Sequence, residues 1–144
     1  MAHTVSRTSR LGAGLIVLAL LGTGCSFWSN DDVCNEDRYE RKLSTLRAQI
    51  DAEIGDAEAS DVASCRTLPL GDKPCGGPWT YLVYSTEVSD ANDLRALAEE
   101  YDRIDRARNR ACELVSTCDV TPEPNVAIQG GRCIAVYGGV SVDG

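Results

Sequence analysis

The chain has 144 residues, about the size of one domain, and its 22 acidic and 14 basic residues give a formal charge of −8. That balance argues against nucleic-acid binding, whose affinity comes largely from basic groups neutralising phosphates. The single histidine, His3, stands close to the N-terminus, so the rest of the chain offers neither a Ser-His-Asp nor a Cys-His mechanism, nor an imidazole metal ligand.

In chain order, residues 1–24 read as a signal peptide. Arg7 and Arg10 form a basic start, Leu11 to Leu21 an apolar run, and Gly22, Thr23 and Gly24 a small-residue end. The run is too short for a membrane-spanning helix and fits a signal h-region. With the signal removed, twelve basic residues face 22 acidic ones and the charge falls to −10. Gly22-Thr23-Gly24-Cys25 resembles the lipobox of bacterial lipoproteins, which differs in preferring leucine where Gly22 stands. The resemblance implies acylation of Cys25 (the palmitate class of modification) and, with Ser26 following, an anchor in the bacterial outer membrane. Several acyl chains hold a protein to a bilayer essentially permanently, at about 0.8 kcal/mol per buried methylene. Residues 25–33 then form a tether, in which Phe27 and Trp28 suit the membrane interface, and residues 34–144 a single domain.

Tyr39, Leu43, Leu46, Ile50 and Ile54 recur at helical spacing and predict a helix from Asp32 to Ile54, stopped near Gly55. Asp51, Glu53, Asp56, Glu58 and Asp61 follow as an acidic stretch without the order of a calcium loop, and Asp56 to Ser64 reads as a surface connection. Trp79 to Tyr84 reads as a strand, with Trp79, Tyr81 and Val83 on one face. A second helix is expected from Ala91 to Val115, capped by Ser89 or Asp90, with Glu99–Arg103 and Asp102–Arg106 as supporting pairs. Its Arg103, Arg106, Arg108 and Arg110 read as a salt-bridged face, with an anionic sugar or lipid headgroup as the sharper alternative. Arg132 to Tyr137 is a second strand, ended by Gly138-Gly139. The expected fold is α+β: two long antiparallel helices and a small sheet of at least two strands, stapled by disulfides.

Of seven cysteines, Cys25 is assigned to lipid, which leaves Cys34, Cys65, Cys75, Cys112, Cys118 and Cys133. No pair has CxxC spacing, so disulfides are favoured over a metal site, and no cofactor is expected. Six cysteines allow 15 pairings. Antiparallel helices would bring Cys34 to Cys112, and local closure would pair Cys65 with Cys75 and Cys118 with Cys133.

The most distinctive stretch runs from Cys75-Gly76-Gly77-Pro78-Trp79 through Tyr81-Leu82-Val83-Tyr84 to Ser85. It resembles a segment of small exported bacterial proteins, often predicted lipoproteins, that have no assigned activity. The wider likeness spans Cys65 to Val136, including Tyr101, Asn109, Ser116 to Cys118 and Gly131 to Cys133, and departs at Ile128, where that pattern carries another cysteine. Physically the stretch is a turn feeding a strand, since Gly76 and Gly77 permit positive φ and Pro78 suits a strand start. Gly76, Gly77, Trp79 and Tyr81 form a candidate ligand surface, with a glycine cradle for an anion as one version. The expected function is a membrane-anchored envelope binding or structural module with an envelope protein or glycan as partner. The alternatives are a small hydrolase using carboxylates or Ser85 with Lys73, and a protease inhibitor acting through the Cys65–Cys75 loop.

Overall fold

The computed structural model describes residues 33–138 and the backbone of residues 140–142, and the signal segment, Cys25 and the tether up to residue 32 lie outside them. Helix α1 spans Glu36–Ile54 and starts at Asn35, whose side chain accepts the Arg38 N–H at 3.0 Å. It ends where expected, at Gly55, which takes φ of +55° and returns its N–H to the Asp51 carbonyl. Helix α2 spans Ala91–Ala111 and is capped by Asp90, whose carboxylate accepts from the N–H groups of Asn92 and Asp93. It is shorter than expected, because Cys112 and the positive φ of Glu113 end it.

The strands differ more from expectation, since there are two sheets rather than one. Strands β1 (Cys65–Leu70) and β2 (Thr80–Ser85) form an antiparallel hairpin, while β3 (Asn125–Gln129), β4 (Arg132–Tyr137) and β5 (Val140–Val142) form a second antiparallel sheet. Residues Ala57 to Ala59 extend β4 locally: the Ala59 N–H reaches the Gly131 carbonyl and the Cys133 N–H the Ala57 carbonyl, each at 2.9 Å.

Alternation along the hairpin builds three layers. Leu68, Leu70 and Tyr84 face the helices and join Ile50, Leu94 and Ala98 in the main core, with Leu82 packed against it. Val83 and Cys65 face the second sheet, where they meet Cys133, Val126 and Ile128. A third cluster, Tyr39, Leu43 and Ile104, sits between the helices. The helices therefore run antiparallel, since Tyr39 near the start of α1 meets Ile104 late in α2, whereas Ile50 meets Leu94.

Three disulfides hold these layers. Cys34–Cys112 ties the start of α1 to the end of α2, as expected, with the Cα atoms 4.7 Å apart. The two local pairings are replaced by Cys65–Cys133 and Cys75–Cys118. The hairpin register explains why: Cys65 stands opposite Ser85, at the far end from the connecting loop that carries Cys75. A strand of that length separates them by roughly 17 Å, and Cys65 turns instead toward β4. Cys133 lies across from Ile128 in the β3–β4 hairpin, away from Cys118, which falls in the segment leading back from α2.

Candidate functional site

The Cys-Gly-Gly-Pro-Trp stretch is a loop pinned from beneath by the polar face of α2. Trp79 donates its backbone N–H to the Leu70 carbonyl, and Thr80 is the register partner of Leu70. Two residues thus oppose one, a bulge that re-aims the Trp79 ring off the strand alternation. The ring reaches α2, where its Nε1 donates to Asp105 Oδ2 at 2.9 Å. The same oxygen accepts the Asp72 N–H at 2.9 Å, and Asp102 Oδ1 accepts the Gly71 N–H at 2.7 Å. Asn109 donates to the Asp72 carbonyl, and Arg106 forks onto the Asp72 carboxylate with both contacts at 3.1 Å. One turn of α2 after another therefore holds the loop.

Burial raises the Asp102 pKa above its ordinary value, and the neighbouring Asp72 and Asp105 add to the rise, against the Gly71 N–H and Arg106, which lower it. Lys73, only 7% exposed, donates from Nζ to the Asp119 carbonyl at 2.9 Å and lies 5.6 Å from the centre of the Trp79 ring. Gly71 takes φ of +87°, and a Cβ there would come within 2.5 Å of the Trp79 ring.

This geometry divides the expected ligand surface between two places. The Gly76 N–H is already donated to the Lys73 carbonyl at 2.7 Å, and the Gly77 carbonyl accepts the Lys73 N–H, so the pair closes a turn rather than an anion cradle. Trp79 does not share a face with Tyr81. Gly76, Gly77 and the 45%-exposed Trp79 stay on the pinned loop, while Tyr81 lines a separate cleft.

That cleft, about 630 Å³, lies between β2 and β4 and is lined by Tyr81, Leu82, Val83, Ile54, Ile134 and Arg132 among others. Three consecutive β2 residues form one wall because β2 pairs only with β1, so among the described residues its other edge carries no strand. The Thr86 N–H to Ser64 carbonyl bond sets the ladder parity, which leaves the backbone groups of Tyr81 and Val83 directed to the open edge. A second groove, about 500 Å³, runs between the helices and is lined by Arg38, Arg41, Lys42, Leu46, Arg103 and Ile104 among others.

The remaining candidates hold the structure together. Ser85 is fully buried and its Oγ accepts the Glu87 N–H at 3.1 Å, so neither Ser85 nor Lys73 presents a reactive group. The expected Cys65–Cys75 loop is strand β1 followed by the pinned turn. The arginine run splits: Arg103 bonds Glu100 rather than Glu99, Arg106 bonds Asp72 rather than Asp102, and Arg108 bridges toward Glu36 and Asp105. The acidic stretch is likewise employed, with Asp51 on Arg47, Glu53 accepting the Asp90 N–H, and Asp56 near Arg132. Glu87, not singled out from the sequence, accepts from the backbone and hydroxyl of Ser60. Hydrogen bonds from the Ser64 side chain and then the Ser60 backbone lower its pKa. Among the described residues no helix is long and apolar enough to cross a membrane. Comparisons with protein-family models, curated proteins and solved structures found no match to this chain.

Proposed function

We propose that the chain is a lipid-anchored protein of the bacterial outer membrane whose stapled domain is a binding module. The β2–β4 cleft would receive an extended segment of another envelope protein. The open edge of β2 beside a cleft of mixed polar and apolar lining carries this reading, since Tyr81 and Val83 offer backbone donors and acceptors to an added strand while side-chain pockets select its residues. The anchor is supported by cysteine parity: all six cysteines of the domain are paired, which leaves Cys25 as the one outside the bridges. Three bridges suit an oxidising compartment. No comparable support remains for a hydrolase built on Ser85 and Lys73.

Two measurements test the reading. The intact mass of detergent-extracted protein should show cleavage before Cys25, added acyl chains, and six thiols that appear only on reduction. A photoreactive residue at Tyr81 should crosslink one discrete envelope protein in producing cells, whereas the same group at the exposed Asp93 should not. A mass without lipid refutes the anchor, and capture of nothing specific at Tyr81 refutes the binding cleft.

A further inference from the structure

Helix α1 carries basic and uncharged polar residues along one flank. Arg38, Arg41, Lys42, Thr45 and Gln49 follow one another at offsets of 3, 4, 7 and 11 from the first, which at 3.6 residues per turn places them on one flank. That flank adjoins the core stripe of Tyr39, Leu43 and Ile50, while Asp37, Glu40 and Asp51 fall on the opposite flank, where Arg47 pairs with Asp51. Helix α2 adds Arg103 to the same groove. Glu100 is the acid that lines it, bound to Arg103 at 2.6 Å. Four basic residues and one acid line the groove, a positive strip on a protein of net charge −8.

The strip lies beside the point where the chain enters the domain. Cys34 is bridged to Cys112, and Arg38 is one helical turn beyond it. From Arg38 to Gln49 the groove runs about 16 Å along α1. A chain from Cys25 to Cys34 spans at most about 30 Å, so the whole strip is within reach of a bilayer anchored at Cys25. Asp51, Asp56, Glu58, Asp61, Glu87 and Asp93 lie at the other end of the helices or just beyond it.

We infer that the α1–α2 groove is the face on which the domain rests against an anionic leaflet, with the acidic end directed away from it. This rests on the lipid-anchor reading. The occupant is a bilayer surface rather than a peptide, because the groove is shallow, lies along the tethered side, and has positive charge as its distinguishing chemistry. The cleft beside β2 then stays open to a partner.

The chain carries its own reporter, since its only lysines are Lys42, exposed in the strip, and Lys73, buried under the loop. Lipidated protein is reconstituted on vesicles of phosphatidylcholine alone or with three-tenths phosphatidylglycerol, and acylation of each lysine by a neutral reagent is followed by mass spectrometry. Each basic side chain near an anionic leaflet favours the docked state about fivefold. Lys42 should therefore label at least about tenfold more slowly on the anionic vesicles, with Lys73 slow on both. Arg41→Gln with Arg103→Gln, two exposed positions, should restore Lys42 labelling by roughly an order of magnitude, as should high salt. Equal labelling of Lys42 on the two vesicles overturns the inference. So does equal slowing by inorganic phosphate on neutral vesicles, which would assign the groove to a free anion. A chain that does not float with neutral vesicles overturns the anchor itself, and a chain that floats but labels equally overturns only the orientation.

Discussion

Replacing Asp105 tests whether the polar face of α2 holds the Cys75–Trp79 loop. The carboxylate is 3% exposed and accepts the Trp79 indole and the Asp72 amide on one oxygen, with Arg108 3.9 Å from the other. A hydrogen bond to a charged group contributes about 1.5–3 kcal/mol. The indole belongs to a half-exposed ring and can turn to water, so its loss sits at the low end. The Asp72 amide and Arg108 are less free, although Arg108 keeps Glu36 at 3.5 Å. Asp105→Ala should therefore cost about 3 kcal/mol, which lowers the melting temperature of a domain this size by roughly 12 °C. Asp105→Asn, which keeps one acceptor oxygen, should lose about half as much. The assay is thermal unfolding by far-ultraviolet circular dichroism with the disulfides intact. In a Trp28→Phe background, acrylamide quenching of Trp79 would be read alongside, and should rise in the alanine variant. A loss below about 1 kcal/mol with unchanged quenching would refute the reasoning and leave the loop to Asp102, Arg106, Asn109 and the Cys75–Cys118 bridge.

Gly71→Ala and Gly76→Ala separate contact from backbone strain. Both positions have positive φ, yet a Cβ at Gly71 meets the Trp79 ring at 2.5 Å while one at Gly76 meets nothing within 4 Å. Equilibrium denaturation should show a loss of about 1 kcal/mol at Gly76 and roughly 1–3 kcal/mol more at Gly71. Joint replacement of Cys34 and Cys112 by alanine opens a bridge spanning 78 residues, and urea unfolding should report a loss of about 4.5 kcal/mol from loop entropy. Asp102 carries a raised pKa, so its contribution to stability is full below the unfolded value of 3.8 and is lost as pH rises through the folded value. Asp102→Asn should accordingly match the parent near pH 3 and exceed it at pH 7. The gain should stay below about 1 kcal/mol, because the carboxylate is partly exposed and screened, and stability curves at the two pH values check the sign.

The elements legible from the sequence are those whose side chains alone state the period. The α1 stripe of Tyr39, Leu43 and Ile50 and the Gly55 stop place that helix within a few residues at its start and correctly at its end. The alternation from Arg132 to Tyr137 locates β4. Strand β1 was not legible, because Arg66-Thr67-Leu68-Pro69-Leu70 contains a proline that argues against a strand interior. The hairpin parity resolves this: Pro69 stands opposite Tyr81 at a pair that exchanges no ladder bonds, so the missing N–H lies on the outer edge. The bridges Cys65–Cys133 and Cys75–Cys118 were illegible for the same reason, since without β1 nothing carries Cys65 away from Cys75. Strand alternation alone puts Trp79 on the Tyr81 face, and only the bulge reverses it. The groove between the helices needs both helices together, because only their packing puts Arg103 of the α2 arginine run on one lining with Arg38, Arg41 and Lys42.

The bridges share a logic that bears on the cleft. None closes a neighbouring loop: one joins helix to helix, one joins sheet to sheet, and one joins the pinned loop to the segment after α2. The three buried clusters are small, so the boundaries between layers are where the fold would part first, and cross-links there resist that directly. A scaffold restrained in this way can tolerate a strand edge left open. Proteins usually blunt such edges with proline or inward charge. The outer edge of β1 has Pro69, whereas the edge of β2 offers Tyr81 and Val83 with no proline or charged residue between Thr80 and Ser85. The asymmetry sits within one hairpin, so composition of the chain as a whole does not account for it. Among the described residues, an edge left unblunted beside a cleft, in a domain closed by three staples, is the geometry that the proposed strand addition requires.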